Sequence, residues 1–242
     1  MTDRVEAETA QSTRRTLKPT PLAQATLAIA WKDLRSELRR RELVAAMLVF
    51  ALLSLLIFSF ALEVDARSRA ANAAGILWVT LVFAGTLGLG RSLGRERDQG
   101  SLEGVLLAPI DRSALYFGKL IGNFLFMIIV AVIIIGPLSV LFGISLFTPL
   151  LPLILLLGIL GYAGVGTLVA SLAAYTRGRE ILMPILLLPI ALSILIPAVR
   201  ATRAVLEGAA YSDITIWLNL LLATNVVYIV LAYLLFDFIV SE

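Results

Sequence analysis

From residue 43 onward the chain alternates long apolar runs with short polar breaks. Residues 43–62 contain no charge until Glu63 and are about as long as the roughly twenty residues a helix needs to cross a bilayer. Residues 63–72 are a polar turn, and a second apolar run follows from Ala73 to about Gly90, punctuated by Gly85, Gly88 and Gly90. The third run starts near Leu120 and reaches Ile135. There Gly136-Pro137 is expected to break or kink the helix before it continues to Leu146, because proline removes a backbone donor. An uncharged connection with Thr148, Pro149 and Pro152 leads to a fourth run, about 153–174, with Gly158, Gly161, Gly164 and Gly166 on a small-residue face. The fifth, 181–199, holds Pro184, Pro189 and Pro197 and is expected to bend. Residues 200–213 are polar with a weak helical pattern, suggesting a short helix or a re-entrant element, and the last run goes from Ile214 to about Phe236. The pattern predicts an all-α integral membrane protein with six transmembrane helices.

Two segments precede the first span. Residues 1–21 are rich in Thr, Ala, Glu and Arg, show no apolar period, and read as a disordered cytoplasmic tail rather than a signal peptide. Residues 22–42 place Leu27, Trp31, Leu34 and Leu38 at helical spacing, with Lys32, Arg35, Arg39, Arg40 and Arg41 on the other sides. That is the pattern of a basic amphipathic helix in the membrane interface, with Trp31 at headgroup level and Arg35 and Arg39 toward water. The domain reading is therefore a tail, 1–21, and a six-span membrane domain, 22–242.

Charge sets the orientation. Sixteen of the twenty Lys and Arg lie in the N-terminal region, the 91–119 stretch and the 175–180 loop, and four lie in the other two charged connections. Basic loops stay cytoplasmic, so both termini and the 91–119 stretch are expected on the cytoplasmic side of the cell (inner) membrane.

Composition removes several chemistries. The chain is 60% hydrophobic and 15% charged, and it has no Cys and no His. That excludes thiolate catalysis, thiol-bound metals, a histidine base and histidine ligation of haem. No Walker A sequence occurs, and GLGRSLG at 88–94 follows an apolar run rather than a strand. Asp237 is the ionisable residue inside an apolar run, read as an interfacial carboxylate, and Asn123, Asn219 and Asn225 read as interhelical hydrogen bonders. No catalytic, cofactor-binding or metal-ligating residue is assigned, and no nucleic-acid partner is expected.

The polar stretch 91–119 carries the richest local pattern. Arg95, Glu96, Arg97 and Asp98 form a mixed-charge run; Gly100 can turn, and Ser101 can cap a short helix beginning at Leu102. Leu102, Val105 and Leu106 share a face, Glu103 lies where a helix start favours negative charge, and Pro109 ends the piece. Asp111 can cap a second helix that runs through Tyr116 and Lys119 into the third span.

This stretch and its flanks resemble the CcmB family, the heme exporter protein B subunits of the cytochrome c maturation exporter. The resemblance is carried by WKDLRSELRRREL at 31–43, the run GILWVTLVFAGTLGLGRSLGRERDQGSLEGVLLAPIDRSALYFGKL at 75–120, its core ERDQGSLEGVLLAP, and Gly136-Pro137. It implies a non-catalytic permease subunit of an ATP-binding-cassette complex in haem delivery. ATP is bound and hydrolysed by a separate ATPase subunit on the cytoplasmic face, and a haem-handling membrane subunit is a further partner. It places a coupling helix at 100–107, with an ATPase-facing set of Glu96, Asp98, Gly100, Ser101, Leu102, Glu103, Leu106 and Pro109. A homodimer packed through the glycine-rich faces completes the expectation, with haem handled by the complex rather than by this chain. The alternatives are a permease of a sister exporter for lipid-linked, polysaccharide or small amphipathic cargo, and a membrane scaffold that transports nothing.

Overall fold

The computed structural model describes residues 21–62, 68–98, 112–174 and 178–241. The described residues form seven helices: α1 (Leu22–Arg40), α2 (Glu42–Ala61), α3 (Arg69–Asp98), α4 (Arg112–Phe142), α5 (Leu151–Ala174), α6 (Arg179–Leu206) and α7 (Tyr211–Ser241). All but α1 contain a stretch long and apolar enough to cross a membrane, so six spans follow one N-terminal helix. The 1–21 tail, apart from Pro21, lies outside the described residues.

Several boundaries differ from the sequence reading. Gly136-Pro137 does not interrupt α4, which passes through Pro137 and ends at Phe142 rather than Leu146. Neighbouring helices in a membrane bundle tolerate such a proline. The stop comes instead at Gly143, whose φ of 58° suits a residue without Cβ. Its N–H bonds to Val140 O at 3.3 Å and the Ile144 N–H to Ser139 O at 3.2 Å, the paired closure of a left-handed helix end. The same closure recurs at Gly208, with Gly208 N–H on Val205 O and Ala209 N–H on Ala204 O. Residues 200–206 are thus the end of α6, not a separate or re-entrant helix. α3 continues as helix past Gly90 to Asp98, which puts the backbone of Glu96 and Asp98 on its last turns. α1 ends two residues short of the expected limit, because Arg41 turns left-handed at φ 58° and α2 starts at the next residue.

Two helices make the centre. Of the apolar windows of α3 and α5, 67% and 72% of residues are buried, against 22% for α2 and α7. Hydrophobicity cannot drive this sorting, since lipid is as apolar as leucine; close packing and interhelical hydrogen bonds must. Glycine supplies the close packing. A Cβ on Gly158 of α5 would overlap the Trp78 indole of α3, one on Gly166 would strike Leu89, and one on Gly85 would meet Met127 at 2.7 Å and Tyr162 at 2.9 Å. Trp78 is 2% exposed and donates its indole N–H to Thr202 Oγ1 at 2.9 Å, tying α3 to α6. Tyr162 donates to Val82 O at 3.0 Å and shares a 2.7 Å bond with Thr86. Gly85, Gly158 and Gly166 are therefore used inside one copy. The expectation that two copies meet through the glycine faces is corrected, because those notches are already filled by aromatic and aliphatic side chains of the same chain.

The asparagines divide. Asn123 donates to Thr167 Oγ1 at 3.1 Å, and Asn225 donates to Leu157 O at 3.1 Å and Leu221 O at 2.8 Å, both from buried positions. Asn219 is exposed on the outer side of α7 and does not join helices there.

Candidate functional site

The site of interest is the root of α4, where the chain enters the membrane domain after the 99–111 interval. Its first turns are buried although they open a helix: Ser113, Ala114, Leu115, Tyr116, Lys119 and Leu120 all lie below a tenth exposed. They pack with Ala25 and Ile29 of α1 and Ala232 of α7 in a cluster separate from the main core.

Three neighbours grip this root. α1 lies closest, because Gly118 has no side chain: a Cβ there would come within 2.6 Å of Ile29 Cγ2 and 3.2 Å of the Thr26 carbonyl. One turn along α1, Asp33 Oδ2 meets Lys119 Nζ at 2.7 Å. The two side chains are only 13% and 2% exposed, so the pair is nearly removed from water. Lys32 lies 3.3 Å from the other Asp33 oxygen, from a half-exposed position. α5 is the second neighbour: Tyr116 donates its hydroxyl to Gly164 O at 3.1 Å. α7 is the third, with the Phe117 and Tyr233 ring centroids 6.3 Å apart.

α1 is tied to α2 as firmly. Glu37, another turn beyond Asp33, is 5% exposed and accepts the Leu43 N–H at 2.6 Å and the Val44 N–H at 3.1 Å through Oε1. It caps the orphan donors of a helix that follows after one residue, and its charge suits the positive helix end. The i, i+4 series Ile29, Asp33, Glu37 is thus the face by which α1 holds the membrane domain. The apolar stripe that the sequence assigns to the membrane interface divides: Leu34 packs on the core, while Leu27 and Trp31 are 64% and 62% exposed, and Arg35 and Arg39 are exposed too.

Residues 24–239 match the protein family described as CcmB protein. The chain belongs to the CcmB family. The match covers α1 and the root of α4 as well as the spans, so the N-terminal helix is part of the family unit rather than an addition to it. Two similar relatives are both called heme exporter protein B. The one from Pseudomonas aeruginosa is 27% identical over 194 residues, covering 79% of this chain and 86% of the relative. The one from Rhodobacter capsulatus is 28% identical over 188 residues, covering 76% and 84%. The chain is a multi-pass membrane protein of this family.

Of the ATPase-facing set, Gly100, Ser101, Leu102, Glu103, Leu106 and Pro109 lie outside the described residues. Glu96 and Asp98 are placed by backbone alone, at the end of α3. Asp237 lies on α7 by backbone in the same way. Asp33, Glu37, Tyr116 and Gly118 were missed. The signal for the first two was present: acids on successive turns of one side of an otherwise basic helix call for a partner beyond their own neighbours. Among the described residues no group of three or more Asp or Glu is arranged to hold a metal ion.

Proposed function

We infer that this CcmB-family chain is the membrane permease subunit of an ATP-binding-cassette complex acting in haem delivery for cytochrome c maturation. The observation that carries the reading is the family match over residues 24–239, and the names of the two relatives supply the cargo class. ATP hydrolysis belongs to a separate ATPase subunit, because no Walker A sequence occurs in this chain. The distribution of Lys and Arg favours both termini and the 91–119 stretch on the cytoplasmic side of the inner membrane.

In this reading residues 100–107 are the coupling helix that receives the ATPase movement, with Glu96, Asp98, Gly100, Ser101, Leu102, Glu103, Leu106 and Pro109 at the contact. The architecture on either side supports it. The interval hangs between the end of α3, a central helix, and the root of α4, which α1, α5 and α7 hold. A push on the interval therefore reaches the middle of the bundle through α3 and its rim through α4. Lys119 and Asp33 act as positioning residues that carry α1 with the α4 root. A haem-handling membrane subunit is the further partner. A second copy, if the permease is paired, meets this one on outer surfaces such as those of α2 and α7.

Purification of the complex in mild detergent, followed by identification of co-purifying ATPase and membrane subunits and of haem, tests the assembly. Glu103→Lys, and Leu102→Asp with Leu106→Asp, are expected to release or uncouple the ATPase while the protein stays inserted. Undiminished co-purification and ATP-dependent function in both variants would remove the coupling assignment. Co-purification of a cytosolic protein without ATPase activity would favour a scaffold.

A further inference from the structure

The charges of α1 are sorted by direction. Its two described acids point inward: Asp33 is taken by Lys119 and Lys32, and Glu37 by the start of α2. Arg35, Arg39 and Arg40 are exposed and make no ion pair among the described residues. Beside them, one turn apart, Leu27 and Trp31 are 64% and 62% exposed. The outer side of α1 thus joins a large apolar ridge to the uncompensated guanidinium groups of Arg35 and Arg39, with Arg40 exposed at the helix end.

Position decides what such a surface meets. A single residue, Arg41, separates α1 from α2, and the candidate span of α2 begins at Glu42 itself. The outer side of α1 is therefore held at the level where the chain enters the bilayer. An acidic protein in water would satisfy the arginines and leave the ridge with little to cover it. A leaflet satisfies both, with acyl chains for Leu27 and an interfacial seat for the indole. The planar guanidinium also matches a phosphate oxygen pair better than an ammonium does. We propose that the outer side of α1 is a binding surface for anionic phospholipid headgroups, with Arg35 and Arg39 engaging the phosphates, Arg40 adding its charge at the helix end, and Leu27 and Trp31 seated among the chains. Phosphatidylglycerol is the probe chemistry that fits, a phosphodiester with one net negative charge.

The full-length chain in nanodiscs tests this through tryptophan quenching by brominated phosphatidylglycerol against brominated phosphatidylcholine at equal mole fraction. The anionic lipid is expected to quench in excess, and the excess is expected to vanish in Trp31→Phe, which assigns it to α1 rather than to Trp78 or Trp217. Each arginine changed to Gln is expected to weaken the preference by about fivefold, so the triple variant should treat the two lipids alike. Raising the wild-type sample to about 1 M salt, where the screening length is about 3 Å, should remove most of the excess without any substitution. Equal quenching by the two lipids in the wild-type chain, or an excess that survives both the triple variant and salt, overturns the proposal. So does a triple variant that keeps its lipid preference but loses the ATPase subunit on purification, since that outcome makes the arginines a protein interface.

Discussion

The main core and the small cluster at the root of α4 solve the same problem in opposite ways. In the main core, α3 and α5 approach through missing side chains: Gly158 receives Trp78 and Gly166 receives Leu89. No charged side chain is among its buried residues, and polar groups pair across helices, as in Trp78–Thr202 and Tyr162–Thr86, although Thr80 Oγ1 has no partner among the described residues. At the α4 root, one glycine brings α1 close, and a nearly dry ion pair then fixes the register. Shape alone specifies the first contact, and charge specifies the second. The difference suits their places. A helix inside the bundle has neighbours on every side, so steric fit determines its position. α1 touches the domain along one face and needs a contact with a single register.

The ion pair should be the most sensitive point. Lys119→Met leaves the Asp33 carboxylate in a site only 13% exposed with the half-exposed Lys32 still 3.3 Å away, and a loss of about 3 kcal/mol, the low end for breaking a buried pair, is expected in SDS or urea unfolding of the purified protein. Adding Asp33→Leu should return most of that stability, because an apolar pair of similar size often replaces a buried ion pair at little cost. If the double variant unfolds as readily as the single, charge is not what fixes the register. Next comes the glycine seam. Gly158→Ala drives a methyl group into the Trp78 ring, with an expected cost of about 1–3 kcal/mol in the same assay. A Gly158→Ala protein as stable as the parent would mean that α3 and α5 can slide apart freely, and the contrast with the root would collapse.

Smaller effects sharpen the comparison. Glu37→Ala removes the carboxylate that accepts two N–H groups of α2, worth about 1 kcal/mol of stability, and hydrogen exchange should rise at Leu43 and Val44 before it rises in α4. Thr202→Val keeps the shape of the side chain but removes the acceptor of the Trp78 indole N–H. About 0.6 kcal/mol is expected, the ordinary size of a hydrogen bond between membrane helices. A loss several times larger would show that the main core also depends on a polar lock.

Much of the fold could be read from the chain, and the reason is length. A bilayer demands runs of about twenty apolar residues, so six spans announce themselves. Which side of a span faces the interior does not, because lipid and core are equally apolar and no periodic alternation survives. α2 and α5 are apolar all round, yet 22% of one window and 72% of the other are buried. The distinguishing signal is size rather than polarity. Small residues such as Ala163, Gly158 and Gly166 point inward, while Phe60, Val140 and Phe147 are among the most exposed side chains. In α1 too the large apolar residues Leu27 and Trp31 face out, and Ala25, Ile29 and Glu37 face in. Polarity marks the end of a span and not of its helix: the second span closes at Gly90, and α3 runs eight residues beyond it, to Asp98. The buried pair was not legible because its members stand 86 residues apart. Of the proposed coupling contact, Glu96 and Asp98 lie on the α3 backbone and the other residues lie outside the described residues.

Arg41 is the whole joint between α1 and α2, held left-handed and closed by its N–H on Glu37 O at 2.6 Å. A joint without slack turns α1 into a lever. At about 1.5 Å per residue, its 19 residues make an arm of roughly 28 Å. If α2 tilts by about 10° and α1 follows rigidly, the far end of α1 sweeps roughly 5 Å across the membrane surface. Because Thr26 and Ile29 near that end pack on Gly118, such a swing has either to carry the α4 root with it or to shear that contact.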